Sequence, residues 1–283
     1  MHISHFYSTA RGWWPLLDEI DRAARVGVSV THDSYAYSAG ASLLHFFFPD
    51  WAMAGGTPEM LRRLEDAGFR QRVYDGMTAR SEGADAKPDL ARVQLAYVPS
   101  EANRALEGQR LDAIARARGV DAQWLIIDLV RAERACVAAV FFNDATDDDF
   151  DMLIRHPGHM CSTDAILTGG APHPRAYGTY PRYLRHFVRE RETVPLEAMI
   201  RRMTGLPAAR FGLVDRGRIA PGLAADVVIF DPATVADRAT FDRPKQHPIG
   251  IDVILVNGTA VIADGRHTGD LPGRGLRRGE LAG

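Results

Sequence analysis

Residues 122–164 read AQWLIIDLVRAERACVAAVFFNDATDDDFDMLIRHPGHMCSTD, and this stretch decides the fold class. From Ala122 to Arg134 the apolar residues recur at helical spacing, with Asp121 placed as an N-cap. An unbroken apolar run follows, Cys136 to Phe142, short enough for a buried strand. A second helical pattern spans Asp147 to Arg155, and Met160 to Asp164 reads as a further short strand. Helices alternating with strands point to an α/β unit.

Working outward from that centre, a helix is expected over Trp14 to Ala24, followed by a strand at Val26 to Val30. A second helix is expected to open with Thr57 as N-cap and Pro58 as its first residue, and to stop at Gly68. The small, polar stretch Ser81 to Pro88 reads as a loop before the strand-like Arg92 to Val98, and Gln109 to Ala117 is again helical. On the other side, Gly169 to Gly178 forms a loop rich in Gly, Pro and His at the end of a strand, where chemistry tends to sit. Helices at Pro181 to Glu190 and Leu196 to Met203 then give way to β-rich pieces at Asp226 to Phe230, Asp252 to Val256 and Thr259 to Ile262. The last hundred residues thus turn from α/β to mostly β.

The bulk properties exclude several functions. With 46% hydrophobic and 25% charged residues, a formal net charge of −2 and few lysines beside the arginines, the 283-residue chain has the balance of a globular protein. It has no field that would attract nucleic acid or anionic lipid. No apolar run approaches the roughly 18 residues of a membrane helix, and the N-terminus lacks the pattern of a signal peptide. A cytoplasmic location is the expectation. Cys136 and Cys161 lack the spacing of a zinc site, and both are expected reduced and buried.

Four residues are candidates for chemistry. His5 follows a short strand, and a neutral imidazole there could bind zinc; a surface histidine with no ligand role would look the same. Asp164 ends a strand just before the Gly-rich loop, where a carboxylate could move a proton, or could simply cap a turn. Arg175, stiffened by Pro172 and Pro174, offers a planar fork to a carboxylate, or a structural ion pair to a neighbouring Asp or Glu. Tyr35, with Tyr37, could bond a carboxylate or an oxyanion, or could be a core aromatic.

Taken together and in order, these segments resemble the N-acyl-D-amino-acid deacylase (D-aminoacylase) branch of the amidohydrolase superfamily. The resemblance rests on His2-Ile3-Ser4-His5, Asp33-Ser34-Tyr35-Ala36-Tyr37, His156-Pro157-Gly158-His159-Met160-Cys161-Ser162-Thr163-Asp164 and Pro172-His173-Pro174-Arg175. In the tail it is carried by Ala225-Asp226-Val227-Val228-Ile229-Phe230-Asp231 and Val256-Asn257-Gly258. The acidic-apolar tail piece speaks for the superfamily, the Pro-His-Pro-Arg loop for the deacylase branch. Tyr35-Ala36-Tyr37 departs from the family's Tyr-Pro-Tyr, and Ser162-Thr163-Asp164-Ala165 from its Gly-Ser-Asp-Gly.

The resemblance implies a zinc-dependent enzyme that hydrolyses N-acyl-D-amino acids. His5 would be a metal ligand, Asp164 the general base and acid, and Arg175 with Tyr35 the clamp on the substrate's α-carboxylate. It implies the last strands of a (β/α)₈ barrel over residues 1–212, with an inserted segment at about 41–135, and part of a small β-sandwich domain over 213–283. No His-x-His occurs in the sequence, a catalytic zinc takes about three protein ligands, and a full barrel takes about 250 residues. The remaining ligands are therefore expected upstream. The chain is expected to be a truncated product, a mis-set start or one half of a split enzyme, partnered by a complementary N-terminal half or by itself. Two other functions stand beside this one: a non-catalytic remnant or binding subunit, and another amidohydrolase such as a cyclic-imide hydrolase. Against the latter, a cyclic imide presents no free carboxylate to Arg175.

Overall fold

A computed structural model describes residues 1–6, 14–81 and 89–279. In chain order the elements are β1 (His2–Ile3), α1 (Trp14–Arg25), β2 (Thr31–Ser34), β3 (Ala39–Leu43), α2 (Gly56–Arg63), α3 (Ala67–Ser81), β4 (Val93–Tyr97), α4 (Leu111–Arg118), α5 (Ala122–Ala132) and β5 (Ala138–Phe142). There follow α6 (Asp147–Arg155), β6 (His159–Cys161), α7 (Arg175–Arg182), a π-helix (Tyr183–Glu190), α8 (Leu196–Met203), α9 (Gly205–Phe211), β7 (Val227–Phe230), β8 (Ile251–Val256), β9 (Thr259–Ala263) and β10 (Arg266–His267). Helix and sheet are mixed up to α9, and among the described residues only strands follow it.

The caps explain why the central helices stand where they do. The Asp121 carboxylate accepts the N–H groups of Gln123 and Trp124 at 2.8 and 3.2 Å, and α5 buries Leu125, Ile126, Ile127, Leu129 and Val130. Thr146 and Asp149 close a reciprocal capping box at the start of α6, whose first turn holds three aspartates and whose last holds Arg155. Both charge patterns suit the helix dipole.

Among the described residues the strands form three sheets. In the first, β1, β2 and β6 run parallel in the order β1-β2-β6, with His2 opposite Thr31, His32 opposite His159 and Asp33 opposite Met160. Because side chains alternate along a strand, Thr31 and Asp33 share one face, His32 and Ser34 the other. The second sheet is antiparallel, β3-β5-β4, and the third is β10-β9-β8-β7. One hydrophobic core, including Leu44, Leu64, Leu95, Ile126 and Phe141, lies between the second sheet and the helices from α2 to α5. Another, including Leu17, Ile20, Leu153, Phe187 and Met199, packs α1, α6, the π-helix and α8 around the parallel sheet.

Several sequence expectations are corrected. Val26 to Val30 is not a strand: the N–H groups of Val26 and Val28 bond back to Ala23 and that of Gly27 to Ala24, closing the end of α1, and Val26 is 77% exposed. The alternating pattern had no neighbouring strand to use, and β2 starts one residue later. α2 opens at Gly56, with Gly55 in the left-handed region, rather than at Thr57. Gly68 lies inside α3, because the Asp66 carboxylate accepts the Phe69 N–H at 2.7 Å and starts a new helix there. Pro181 sits inside α7, so the expected loop Gly169 to Gly178 already contains that helix's first turn. Cys136 is exposed, whereas Cys161 is buried, and both are free thiols. The expected loop at Ser81 to Pro88 lies, beyond Ser81, outside the described residues. Among the described residues no helix is long and apolar enough to cross a membrane.

Candidate active site

The four candidate residues meet at one end of the parallel sheet. His5 follows β1, Tyr35 follows β2 and Asp164 follows β6, while Arg175 is the first residue of α7. The Asp164 Oδ2 atom lies 3.2 Å from His5 Nε2 and 2.7 Å from Arg175 Nη2, so a single carboxylate oxygen joins the imidazole to the guanidinium. The Arg175 guanidinium stacks over the Tyr35 ring, 4.3 Å from its centroid, and His5 meets the same ring edge-on at 5.7 Å. Arg175 and Tyr35 are each 1% exposed, whereas the His5 and Asp164 side chains are about half exposed. A buried anchor thus underlies a pair open to solvent.

The backbone at this pair is unusual. His5 has φ +60° and Asp164 φ +45°, in the left-handed region, which Asn, Asp and His enter several times more often than other L residues. Arg175 adopts the ion-pair reading left open by its sequence, but its partner is the carboxylate expected to move the proton.

Other residues that shape the site were not singled out from sequence. His173 is buried; its Nε2–H donates to the Ala39 carbonyl at 3.0 Å and its Nδ1 accepts the Arg175 N–H at 3.0 Å. These two bonds define a neutral tautomer. Burial, with the charge of Arg175 adding to it, pushes the imidazole down to about 3. The two flanking prolines drew attention to Arg175, yet the histidine between them holds its backbone. Glu107 accepts the Val98 N–H at 2.9 Å and the Gly170 N–H at 2.6 Å, tying the loop between Asp164 and Arg175 to the second sheet. Across the 63 residues separating Glu107 from Gly170, no local sequence signal could pair them.

Behind the site, on the helix-facing side of the sheet, three histidines cluster. His156 donates through Nε2 to Asp21 at 3.3 Å, so its Nδ1 accepts from His32 Nε2 at 3.0 Å, while His159 Nε2 pairs with Ser34 Oγ at 2.9 Å. Burial first, then the neighbouring His156, pushes His32 down to about 3. His156 bonds His32, whereas His159 bonds Ser34 and meets the His32 ring only edge-on at 5.6 Å, so the three do not converge on one point. Among the described residues no group of three His, Cys, Asp or Glu side chains could hold a metal ion. At the candidate site His5 and Asp164 are two possible donors, fewer than the three protein ligands of a catalytic zinc; the residues present do not by themselves complete a metal centre.

Comparison with known proteins places this geometry in context. A model of the Amidohydrolase family matches residues 52–266. The chain is 34% identical over 262 residues to an N-acyl-D-glutamate deacylase of Alcaligenes xylosoxydans xylosoxydans, covering 93% of this chain and 44% of that protein. It is 39% identical over 173 residues to a D-aminoacylase of the same organism, covering 61% of this chain and 34% of that one. Among solved structures, a D-aminoacylase described as having a binuclear metal centre matches with a TM-score of 0.75 and 32% identity, over 98% of this chain and 49% of that one. An N-acyl-D-glutamate deacylase from Bordetella bronchiseptica, complexed with zinc and a phosphonate inhibitor, matches with a TM-score of 0.68 and 30% identity, over 94% and 48% of the two chains. The chain spans about half the length of the relatives it matches.

Proposed function

We propose that this chain, which belongs to the Amidohydrolase family, carries the substrate-anchoring and proton-transfer residues of a zinc-dependent hydrolase that cleaves N-acyl-D-amino acids to a carboxylate and a free D-amino acid. On this reading residues 1–212 contribute strands to a (β/α)₈ barrel, with the segment at about 41–135 inserted, and 213–283 contribute to a small β domain. The observation that carries the proposal is the Asp164 carboxylate held between His5 and Arg175, with Arg175 stacked on Tyr35.

Arg175 would take the substrate's α-carboxylate through its planar fork. Because its Nη2 already bears on Asp164, an arriving carboxylate competes for the same guanidinium, and binding would turn Asp164 toward the scissile amide. Asp164 would then accept the proton of the attacking water and deliver it to the leaving amine nitrogen. Zinc, when bound, would supply carbonyl polarisation and a more acidic water. This chain would contribute His5 to it, with Asp164 beside the metal as the base, the other donors coming from a complementary N-terminal half.

The test is release of free amino acid from N-acetyl-D-glutamate, with zinc, by the chain alone and by the chain mixed with the N-terminal half of its N-acyl-D-glutamate deacylase relative. Release in the mixture that is lost with Asp164→Asn is the expected result. If the two halves associate and bind zinc yet release nothing from N-acetyl-D-glutamate, -aspartate or -methionine, the reading is wrong.

A further inference from the structure

His5 and Asp164 touch across a strand to which neither belongs. β1 and β6 each pair with β2 and not with each other, so the contact between the residues that follow them passes over the end of β2. On β2 stands Asp33. Its Oδ1 accepts the His5 N–H at 2.9 Å and its main-chain oxygen accepts the Phe6 N–H at 2.7 Å. On the β6 side, the Ser162 N–H donates to the main-chain oxygen of Ser34, the residue after Asp33, at 2.9 Å. Asp33 therefore holds the backbone on both sides of His5, and the residue after it ties in the segment that leads to Asp164.

Asp33 is itself oriented from below. Arg210 on α9 donates through Nε to Thr31 Oγ1 at 2.7 Å, which commits that oxygen as an acceptor. The Thr31 hydroxyl hydrogen is left for His2 Nδ1 at 2.9 Å. His2 is thereby fixed with its proton on Nε2, which donates to Asp33 Oδ2 at 2.7 Å. Burial opposes the charge on Asp33, but hydrogen bonds, from His5 and His2 first, outweigh it and hold the carboxyl below its ordinary range.

We propose that Asp33 is a positioning residue, whose carboxylate, oriented by the Arg210-Thr31-His2 series, fixes the left-handed turn at His5 and so sets the His5–Asp164 geometry; its relevance to amide hydrolysis rests on the function proposed above. Backbone strain at a site persists where surrounding bonds over-determine it, and here those bonds converge on a single carboxylate.

The test uses the ring ¹⁵N resonances of His5 in the 283-residue chain, which needs no turnover. Asp164→Asn should shift them in the otherwise unchanged protein. In an Asp33→Ala background the same substitution should produce less than a fifth of that shift. In an Asp33→Asn background, where one carbonyl oxygen remains for the His5 N–H, the shift should fall by about half. An undiminished response in the Ala background overturns the proposal. Should the Ala variant fail to fold, an undiminished response in the Asn background does the same. If the coupling behaves as expected while no N-acyl amino acid is hydrolysed, the deacylase reading fails and the positioning role of Asp33 stands.

Discussion

Asp164 Oδ2 faces two groups at once, an exposed imidazole it hydrogen-bonds and a buried guanidinium it pairs with by charge, and this sharing makes the consequences of single substitutions specific. Asp164→Asn keeps the shape of the side chain and one acceptor oxygen but loses the base. In a preparation that turns over an N-acyl amino acid it should lower kcat by about 10² to 10⁴, with KM changed far less. Steady-state kinetics settle it, and near-normal turnover would leave Asp164 as a structural partner of Arg175. Arg175→Lys keeps the charge and loses the fork and the stacking on Tyr35. KM for N-acyl amino acids should rise at least about tenfold, roughly 1.4 kcal/mol, while amides without an α-carboxylate are little affected. Equal losses on both substrates would make Arg175 purely structural. The sequence named these residues because each sits in a short motif of distinctive composition. It did not show that the arginine and the aspartate would be each other's partners, since eleven positions and a turn separate them.

At the scale of elements, what was legible was what is local. The Asp121 cap lies next to the helix it starts, and α5 begins where that residue predicted; α6 spans the Asp147 to Arg155 expected from its helical pattern, and the Thr146 capping box that opens it went unread. The failed strand at Val26 to Val30 shows the limit, because a period of two is equally consistent with a strand and with an irregular segment closing a helix. The loop from Asp164 to Arg175 lies further still from local reading. It is held at Gly170 by Glu107, at Ala171 by the Ala96 carbonyl and at His173 by the Ala39 carbonyl, all contributed by the segments around the second sheet. Gly169, with φ +98°, passes so close to that sheet that an added Cβ would lie 2.2 Å from the Ala96 oxygen. Gly169→Ala should therefore force the loop off the sheet. The expected outcome is a loss of amide protection across 169–173 of tenfold or more, with α5 unchanged, read by hydrogen exchange. Unchanged protection there would show that the loop is not held by this close approach.

Across the whole molecule, the two cores differ in what they can tolerate. The core around the second sheet is built on apolar side chains, with Gln94 and Glu133 as buried polar groups beside it, whereas the layer beside the parallel sheet includes neutral histidines, and a further such imidazole, His173, lies where the second sheet meets the site. For His32 burial is the main cause and His156 adds to it; for His173 burial again leads and Arg175 adds to it, and both imidazoles are pushed down to about 3. The sign follows from linkage. An unfolded histidine takes up a proton near pH 6.5, the folded one only near 3, so between those values the unfolded chain binds more protons and the fold weakens as pH falls. Above about pH 6.5 both states are neutral at these sites and the full stability is present. Each histidine should contribute a loss of up to about 1.4 kcal/mol per pH unit below that point. Most carboxylates have unfolded values near 4, so the interval from pH 6.5 to 5 isolates the histidines. Urea denaturation followed by circular dichroism should show a fall on the order of 4 kcal/mol between pH 7 and 5 from His32 and His173 together, reversed on return to pH 7. His32→Gln, which cannot charge, should be less stable at pH 7 but flatter over the same interval. A midpoint that stays constant from pH 7 to 5 would mean that His32 and His173 become protonated in the folded chain without cost, and that the burial assigned to them here does not hold in solution.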